Sequence, residues 1–208
     1  LELTGITVSF NSAPLEWWLS LPIIVIYPLL FGWVSYQTAT KLAEHKRRLQ
    51  VMSTRDGMTG VYNRRHWETM LRNEFDNCRR HNRDATLLII DIDHFKSIND
   101  TWGHDVGDEA IVALTRQLQI TLRGSDVIGR FGGDEFAVIM SGTPAESAIT
   151  AMLRVHEGLN TLRLPNTPQV TLRISVGVAP LNPQMSHYRE WLKSADLALY
   201  KAKKAGRN

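Results

Sequence analysis

A run of 20 residues without a charged side chain, 17–36 (WWLSLPIIVIYPLLFGWVSY), constrains this chain more than any other feature. A helix of about 20 apolar residues is the length that crosses a hydrocarbon layer roughly 30 Å thick. Trp17, Trp18, Trp33 and Tyr36 sit near its ends, where amphipathic rings favour the membrane interface. Pro22 and Pro28 would break a water-exposed helix but are tolerated where neighbouring helices satisfy the freed backbone groups. Residues 1–40 hold no Lys or Arg. Lys41, Lys46, Arg47, Arg48 and Arg55 then follow, the sign pattern of a cytoplasmic flank. The same run could be a helix buried in a soluble domain, or a signal peptide, although a signal peptide carries its cations before the apolar run. The expectation is a membrane segment over 1–36, with one transmembrane helix at about 17–36, forming the end of a larger membrane region.

Residues 37–55 (QTATKLAEHKRRLQVMSTR) read as a polar helix with a sparse apolar seam of Ala39, Leu42, Leu49 and Met52. That pattern suits a two-stranded signalling helix between membrane and catalytic domain. Gly57 and Gly60 mark a break, so a domain is expected over 56–208. About 150 residues suffice for one hydrophobic core. Helices are expected at 63–81, 104–122, 144–161 and 188–204, and strands at 85–92, 126–130, 135–141 and 170–179. In the helix at 104–122, Ile111, Leu114, Leu118 and Leu122 fall at helical spacing. Such an α/β pattern places a sheet under helices that cover mainly one face.

The net charge of +3, from 24 basic and 21 acidic side chains, does not establish a nucleic-acid partner, and none is expected. A basic membrane flank plus sites for anionic nucleotides accounts for it as well. The lone Cys78 excludes an internal disulfide and any multi-cysteine zinc site.

The apolar strand 85–92 ends in Asp91-Ile92-Asp93. Strand side chains alternate, so both carboxylates project from one face. Like charges so placed repel, and a hard cation such as Mg²⁺ is held by one or two carboxylates plus substrate phosphates. A solvated turn is the plainer alternative. A second acidic pair, Asp134-Glu135, follows Gly132-Gly133 at a hairpin tip, where acids are usually just turn residues. If strand 135–141 pairs with strand 85–92, however, Asp91 and Asp134 could converge on one metal. Lys96 lies three residues after Asp93 and points to phosphate handling.

These residues are familiar. FGGDEF at 131–136, with IIDIDHFKSINDTWGHDVGDE at 89–109 upstream, strongly resembles the GGDEF family of diguanylate cyclases. DGMTGVYNRR at 56–65 looks like the family's opening motif, with Met58 and Val61 where leucine is more usual. ADLALYKAKKAGRN at 195–208 matches its closing helix. The resemblance covers 56–208, and the front end is similar to that of membrane-anchored members. It implies an α+β palm-like fold, similar to nucleotidyl cyclases and polymerase palms, preceded by a transmembrane helix. It also implies condensation of two GTP into cyclic di-GMP with release of pyrophosphate. Mg²⁺, with Mn²⁺ as a substitute, would be held by Asp91, the Ile92 carbonyl and Asp134. The guanine edge would fall to Asn99 and Asp108, with His104 and Phe95 beside the same nucleotide. Lys96, Lys203 and Arg207 would contact phosphates, Lys96 close enough to count among the catalytic groups, and Arg130 would assist them or a dimer interface. Glu135 is the expected acceptor of the ribose hydroxyl proton, a task that Asp134 and the metal could share.

Because one site holds one GTP and the product joins two nucleotides, a homodimer is expected. Arg123-Gly124-Ser125-Asp126 falls where the family carries its inhibitory product site, and Arg154 where it supplies a second arginine. A bacterial inner-membrane enzyme with a cytoplasmic catalytic domain is the resulting expectation. A non-catalytic module that binds GTP or cyclic di-GMP as a receptor is the alternative. Taken singly, each residue has a plain reading: Asn99 a turn, Asp108 a helix first-turn acid, His104 a surface histidine, Lys203 and Arg207 helix C-terminal cations, and Arg123–Asp126 a polar turn. Only their joint occurrence in family order argues otherwise.

Overall fold

The computed structural model describes residues 26–42, 54–165, 167 and 169–206. The chain divides into two units, Leu1–Met52 and Ser53–Asn208. In the first, helix α1 runs over 26–42, passing 36/37 without a break and exposing Tyr27, Leu29, Phe31 and Trp33. Residues 17–25 of the expected transmembrane run lie outside the described residues. Among the described residues no helix is long and apolar enough to cross a membrane. Of the expected helix at 37–55, residues 43–53 lie outside the described residues, and the last two are not helical. There the chain doubles back: Arg55 bridges Tyr62, Asp56 N–H donates to Val61 O (2.8 Å) and Asn63 N–H to Thr54 O (3.0 Å).

The second unit begins with β1 (Tyr62–Asn63), followed by α2 (Arg64–His81), whose first turn is capped by Asn63 Oδ1 accepting from His66 N–H (3.0 Å). Next come β2 (Ala85–Ile92), α3 (Phe95–Trp102), α4 (His104–Thr121), β3 (Val127–Gly132), β4 (Glu135–Ser141), α5 (Ala145–Thr161), β5 (Ile174–Pro180) and α6 (Tyr188–Lys204). The sheet order is β1-β3-β4-β2-β5, antiparallel except for the parallel β1–β3 pair. This is the mixed α/β palm-like arrangement.

Helices cover both faces of the sheet, correcting the expectation of mainly one. All eight residues of β2 are buried, so neither of its faces can meet water. Leu88, Ile90 and Ile92 pack with Ile111, Leu114 and Val155 of α4 and α5. Leu87 and Ile89 pack with Trp67, Leu71 and Trp191 of α2 and α6. The two buried indoles keep their N–H groups bonded, Trp67 to Val127 O (3.0 Å) and Trp191 to Ala179 O (2.8 Å).

Three elements depart from the periodicity, the first being the two-residue strand β1, which was not expected. Helix α3 was not expected, because its residues read as a turn and it buries none of them fully. Strand β5 begins at Ile174 rather than 170. Just before it, Arg173 O accepts from Asp93 N–H (2.9 Å), which ties the chain to the end of β2.

Candidate active site

The site forms where the central strand runs out. In the β2–β4 ladder Asp91 stands directly opposite Glu135, and in the β2–β5 ladder opposite Ser175. Directly opposed residues of an antiparallel pair share a face, here the one packed by α6. Asp134 occupies the turn between β3 and β4, made possible by positive φ at Gly132 (+145°) and Gly133 (+51°). Its carbonyl accepts from Ile92 N–H (3.4 Å), joining the turn to the strand end. The structure thus brings Asp91, Ile92, Asp134 and Glu135 together, with Asp93 adjacent and accepting from Ser175 Oγ (2.7 Å).

One cation stands among these acids. Lys203, in the last turn of α6, places Nζ 2.7 Å from Asp91 Oδ2. Burial nevertheless pushes the Asp91 carboxyl above its ordinary value against the pull of Lys203, and Asp134 and Asp93 add repulsion. The Glu135 carboxyl is raised too, first by burial and then by Asp91 and Asp134. Crowded carboxylates that attract an ammonium are the donor chemistry of a divalent cation. Among the described residues no three metal-ligating side chains form a ready-made cage. Two carboxylates and a carbonyl fit Mg²⁺, which takes its remaining oxygens from phosphates and water.

The expected base-recognition residues lie on α3 and α4. Asn99 is half-buried, and its Oδ1 has no hydrogen-bond partner. The helices meet so closely that a Cβ added at Gly107 would come 1.9 Å from that oxygen. Phe95 packs partly on the core beside it, while Lys96, His104 and Asp108 are exposed. Asp108 also lines a cavity of about 450 Å³ between α4 and residues 162–165.

Arg130, expected on phosphates or at a dimer interface, bonds within its own domain. Its Nε and Nη2 donate to Gly133 O (3.0 and 2.8 Å) and its Nη1 to Asp56 Oδ1 (3.1 Å). A guanidinium fork with three engaged N–H groups holds the acidic turn from inside the domain. Asp56 is the residue that sequence reasoning passed over, although Asp-x-x-Thr is a local pattern in which an aspartate accepts from the residue three on. Both Thr59 N–H (3.0 Å) and Thr59 Oγ1 (2.6 Å) donate to it. Burial alone would raise the Asp56 carboxyl, but the bonds from Thr59 and Arg130 outweigh it and hold it below the usual aspartate range. Its stabilising contribution is therefore present above the unfolded pKa and lost as pH falls through the lower folded value. Asp56→Asn keeps the Thr59 acceptor and loses the charge. It is expected to cost about 1 kcal/mol at neutral pH and to flatten the acid limb of stability below about pH 4, as measured by urea unfolding across pH.

Asp126 is buried at the start of the β3 hairpin. One oxygen accepts from Arg123 N–H (2.9 Å) and Oδ1 has no partner. Burial raises its carboxyl despite the Arg123 charge. Arg123 and Asp126 share a cavity of about 220 Å³ with Arg55, Tyr62 and Gln119. Arg154 is exposed on α5 and does not line it. Arg207 lies outside the described residues.

An antiparallel hairpin, an acidic turn and a lysine thus meet at the end of the central strand. Comparison with known proteins names the class of this domain. The chain matches the family described as diguanylate cyclase, GGDEF domain, over residues 53–208, and it belongs to that family. It is 34% identical over 155 residues to diguanylate cyclase DosC of Escherichia coli K12, covering 74% of this chain and 34% of DosC. It is 31% identical over 190 residues to cyclic di-GMP phosphodiesterase NbdA of Pseudomonas aeruginosa, covering 85% of this chain and 24% of NbdA. The GGDEF domain of DgcB from Caulobacter crescentus, solved in complex with c-di-GMP, superposes with a TM-score of 0.71 at 29% identity, covering 75% of this chain and 93% of that one. The chain spans about a third of the length of DosC.

Proposed function

We propose that this chain is a Mg²⁺-dependent diguanylate cyclase that condenses two GTP into cyclic di-GMP and two pyrophosphates. The observation that carries the reading is the convergence of Asp91 with Asp134 and Glu135, through the β2–β4 register, beside Lys203. Names borne by relatives such as DosC support it. Asp91, the Ile92 carbonyl and Asp134 would hold Mg²⁺, or Mn²⁺ in its place, which when bound offsets phosphate charge and stabilises the leaving pyrophosphate. Lys96, Lys203 and Arg207 would bind the phosphates and align each 3′-hydroxyl with the opposite α-phosphate. As the O3′–P bond forms, the hydroxyl proton passes to Glu135 or Asp134. The bond from phosphorus to the bridging oxygen breaks, and its electron pair leaves on pyrophosphate. Asn99 and Asp108 would read the guanine edge, with Phe95 and His104 flanking the base. Arg130 would serve this chemistry by holding the Gly133 carbonyl of the acidic turn.

Two sites must meet, so the active species is a homodimer with two-fold symmetry. The apolar exposure of α1 and the cations that follow it support a membrane anchor over 1–36 and a linker at 37–55, with the catalytic domain on the cytoplasmic side of a bacterial inner membrane. Arg123, the unpartnered Asp126 oxygen and an Arg154 from the partner support a product site that holds two domains in a non-productive orientation.

Pyrophosphate release from GTP and Mg²⁺, followed over a dilution series of the protein, tests this reading. Specific activity should fall as the dimer dissociates. Added cyclic di-GMP should inhibit non-competitively, and Arg123→Ala should keep catalysis while losing that inhibition. Binding of nucleotide with no pyrophosphate released would establish the receptor alternative instead.

A further inference from the structure

The two basic side chains at the acidic centre are held very differently. Arg130 donates from all three of its guanidinium nitrogens to Gly133 O, Asp56 Oδ1 and Met58 Sδ in its own domain. Lys203 makes one contact, at 2.7 Å to Asp91 Oδ2, while its side chain is 32% exposed and that of Asp91 is 11% exposed. An ammonium on a four-carbon stem is a mobile, strongly hydrated point charge, whereas a guanidinium fork is fixed by its geometry. Lys203 also stands in the penultimate position of α6.

Its place is the one a divalent cation would need, because the oxygen that Lys203 holds belongs to a buried carboxylate at the end of the central strand. An ammonium and a divalent cation on the same carboxylate repel each other, so each weakens the hold of the other. Without Lys203, Asp91, Asp134 and Glu135 would face one another with no ion pair among the described residues, and the attraction of Lys203 reaches both Asp91 and Glu135. We infer that Lys203 is the resident counter-ion of Asp91, which free metal must displace and which an arriving polyphosphate draws away. Metal and nucleotide thereby bind each more tightly in the presence of the other. The inference rests on the reading of Asp91 as a metal ligand. By linkage, the factor by which nucleotide raises metal affinity equals the factor by which metal raises nucleotide affinity.

A lysine that only contacts phosphate would leave metal binding without nucleotide unchanged when removed. A lysine that only braces Asp91 would leave it weaker. A resident counter-ion leaves it tighter. The test is titration of the full chain with Mn²⁺ alone, free Mn²⁺ being read by electron paramagnetic resonance, for wild type, Lys203→Met, Lys203→Gln, Lys203→Arg and Asp91→Asn. Lys203→Met and Lys203→Gln should tighten Mn²⁺ binding about fivefold, the upper range for a partly exposed ion pair. Lys203→Arg should stay near wild type, and both neutral variants should bind a non-hydrolysable GTP analogue less tightly than wild type does. Mn²⁺ binding unchanged or weakened in both neutral variants would overturn the inference. Wild-type Mn²⁺ binding that survives Asp91→Asn undiminished would remove the metal-ligand reading itself, and the counter-ion role with it.

Discussion

Asp91→Asn and Asp134→Ala should each lower cyclic di-GMP formation by about a thousandfold or more, the scale of a catalytic cation that contributes several kcal/mol. The fold should survive both changes, because these side chains serve the acidic centre rather than either hydrophobic cluster. For Asp91 the sign of the stability change follows from its environment. A carboxyl raised in the folded state binds its proton more tightly there than in the unfolded chain. Its ionised form therefore costs stability at neutral pH, and that cost fades as pH falls through the folded value towards the unfolded one. Asn has no charge to desolvate, so in the absence of metal Asp91→Asn should melt at or above the wild-type temperature while losing turnover. Function and stability then move in opposite directions, as expected where an active site holds unfavourable charges for its chemistry. Circular dichroism melts beside the pyrophosphate assay check both halves. Near-normal Mg²⁺-dependent turnover in either variant would refute the assignment of the metal centre.

Much of this arrangement was legible in the chain because strong local signals coincide with tertiary demands. The uninterrupted apolar run of β2 matches the observed strand end for end, and α6 likewise keeps its expected bounds. Strand 135–141 reads as a sheet partner of 85–92, and the observed register sets Asp91 opposite Glu135. Sequence periodicity could not reveal α3, whose eight residues follow a left-handed His94 and bury no side chain fully. Nor could it reveal that both sheet faces are covered, since a continuous apolar strand states burial without saying what buries it. The intradomain bonds of Arg130 were hidden for a related reason. A basic residue next to an acidic turn reads as a ligand for phosphate, while its partners, Asp56 and a backbone carbonyl, are either 74 residues away or invisible as side chains. Lys203 was expected on a phosphate through the resemblance, and its contact with Asp91, distant in the chain, leaves no local signal.

Gly107→Ala should reduce kcat/KM for GTP about a hundredfold and erode the preference for guanine over adenine, with the domain still folded. A Cβ at this position would lie 1.9 Å from Asn99 Oδ1, 3.0 Å from Asn99 Cγ and 3.3 Å from Phe95 Cζ. The obstruction is the end of a side chain rather than backbone, so the Asn99 amide can swing aside while α3 and α4 stay in contact. Overpacking of this kind costs about 1–3 kcal/mol of stability. The functional loss is larger than that cost suggests, because the displaced amide is the group proposed to meet the base. Its buried oxygen has no partner within the domain, which suits an acceptor left open for a ligand. Misplacing Asn99 and leaving guanine polar groups unpaired would forfeit about 1–3 kcal/mol for each hydrogen bond. A double-mutant cycle separates this route from general loosening. If Gly107→Ala acts through the amide, adding it to Asn99→Gly should do little further harm, since the obstructing side chain is already gone. Additive losses in kcat/KM would mean that the helix contact, and not the placement of Asn99, is what the glycine protects.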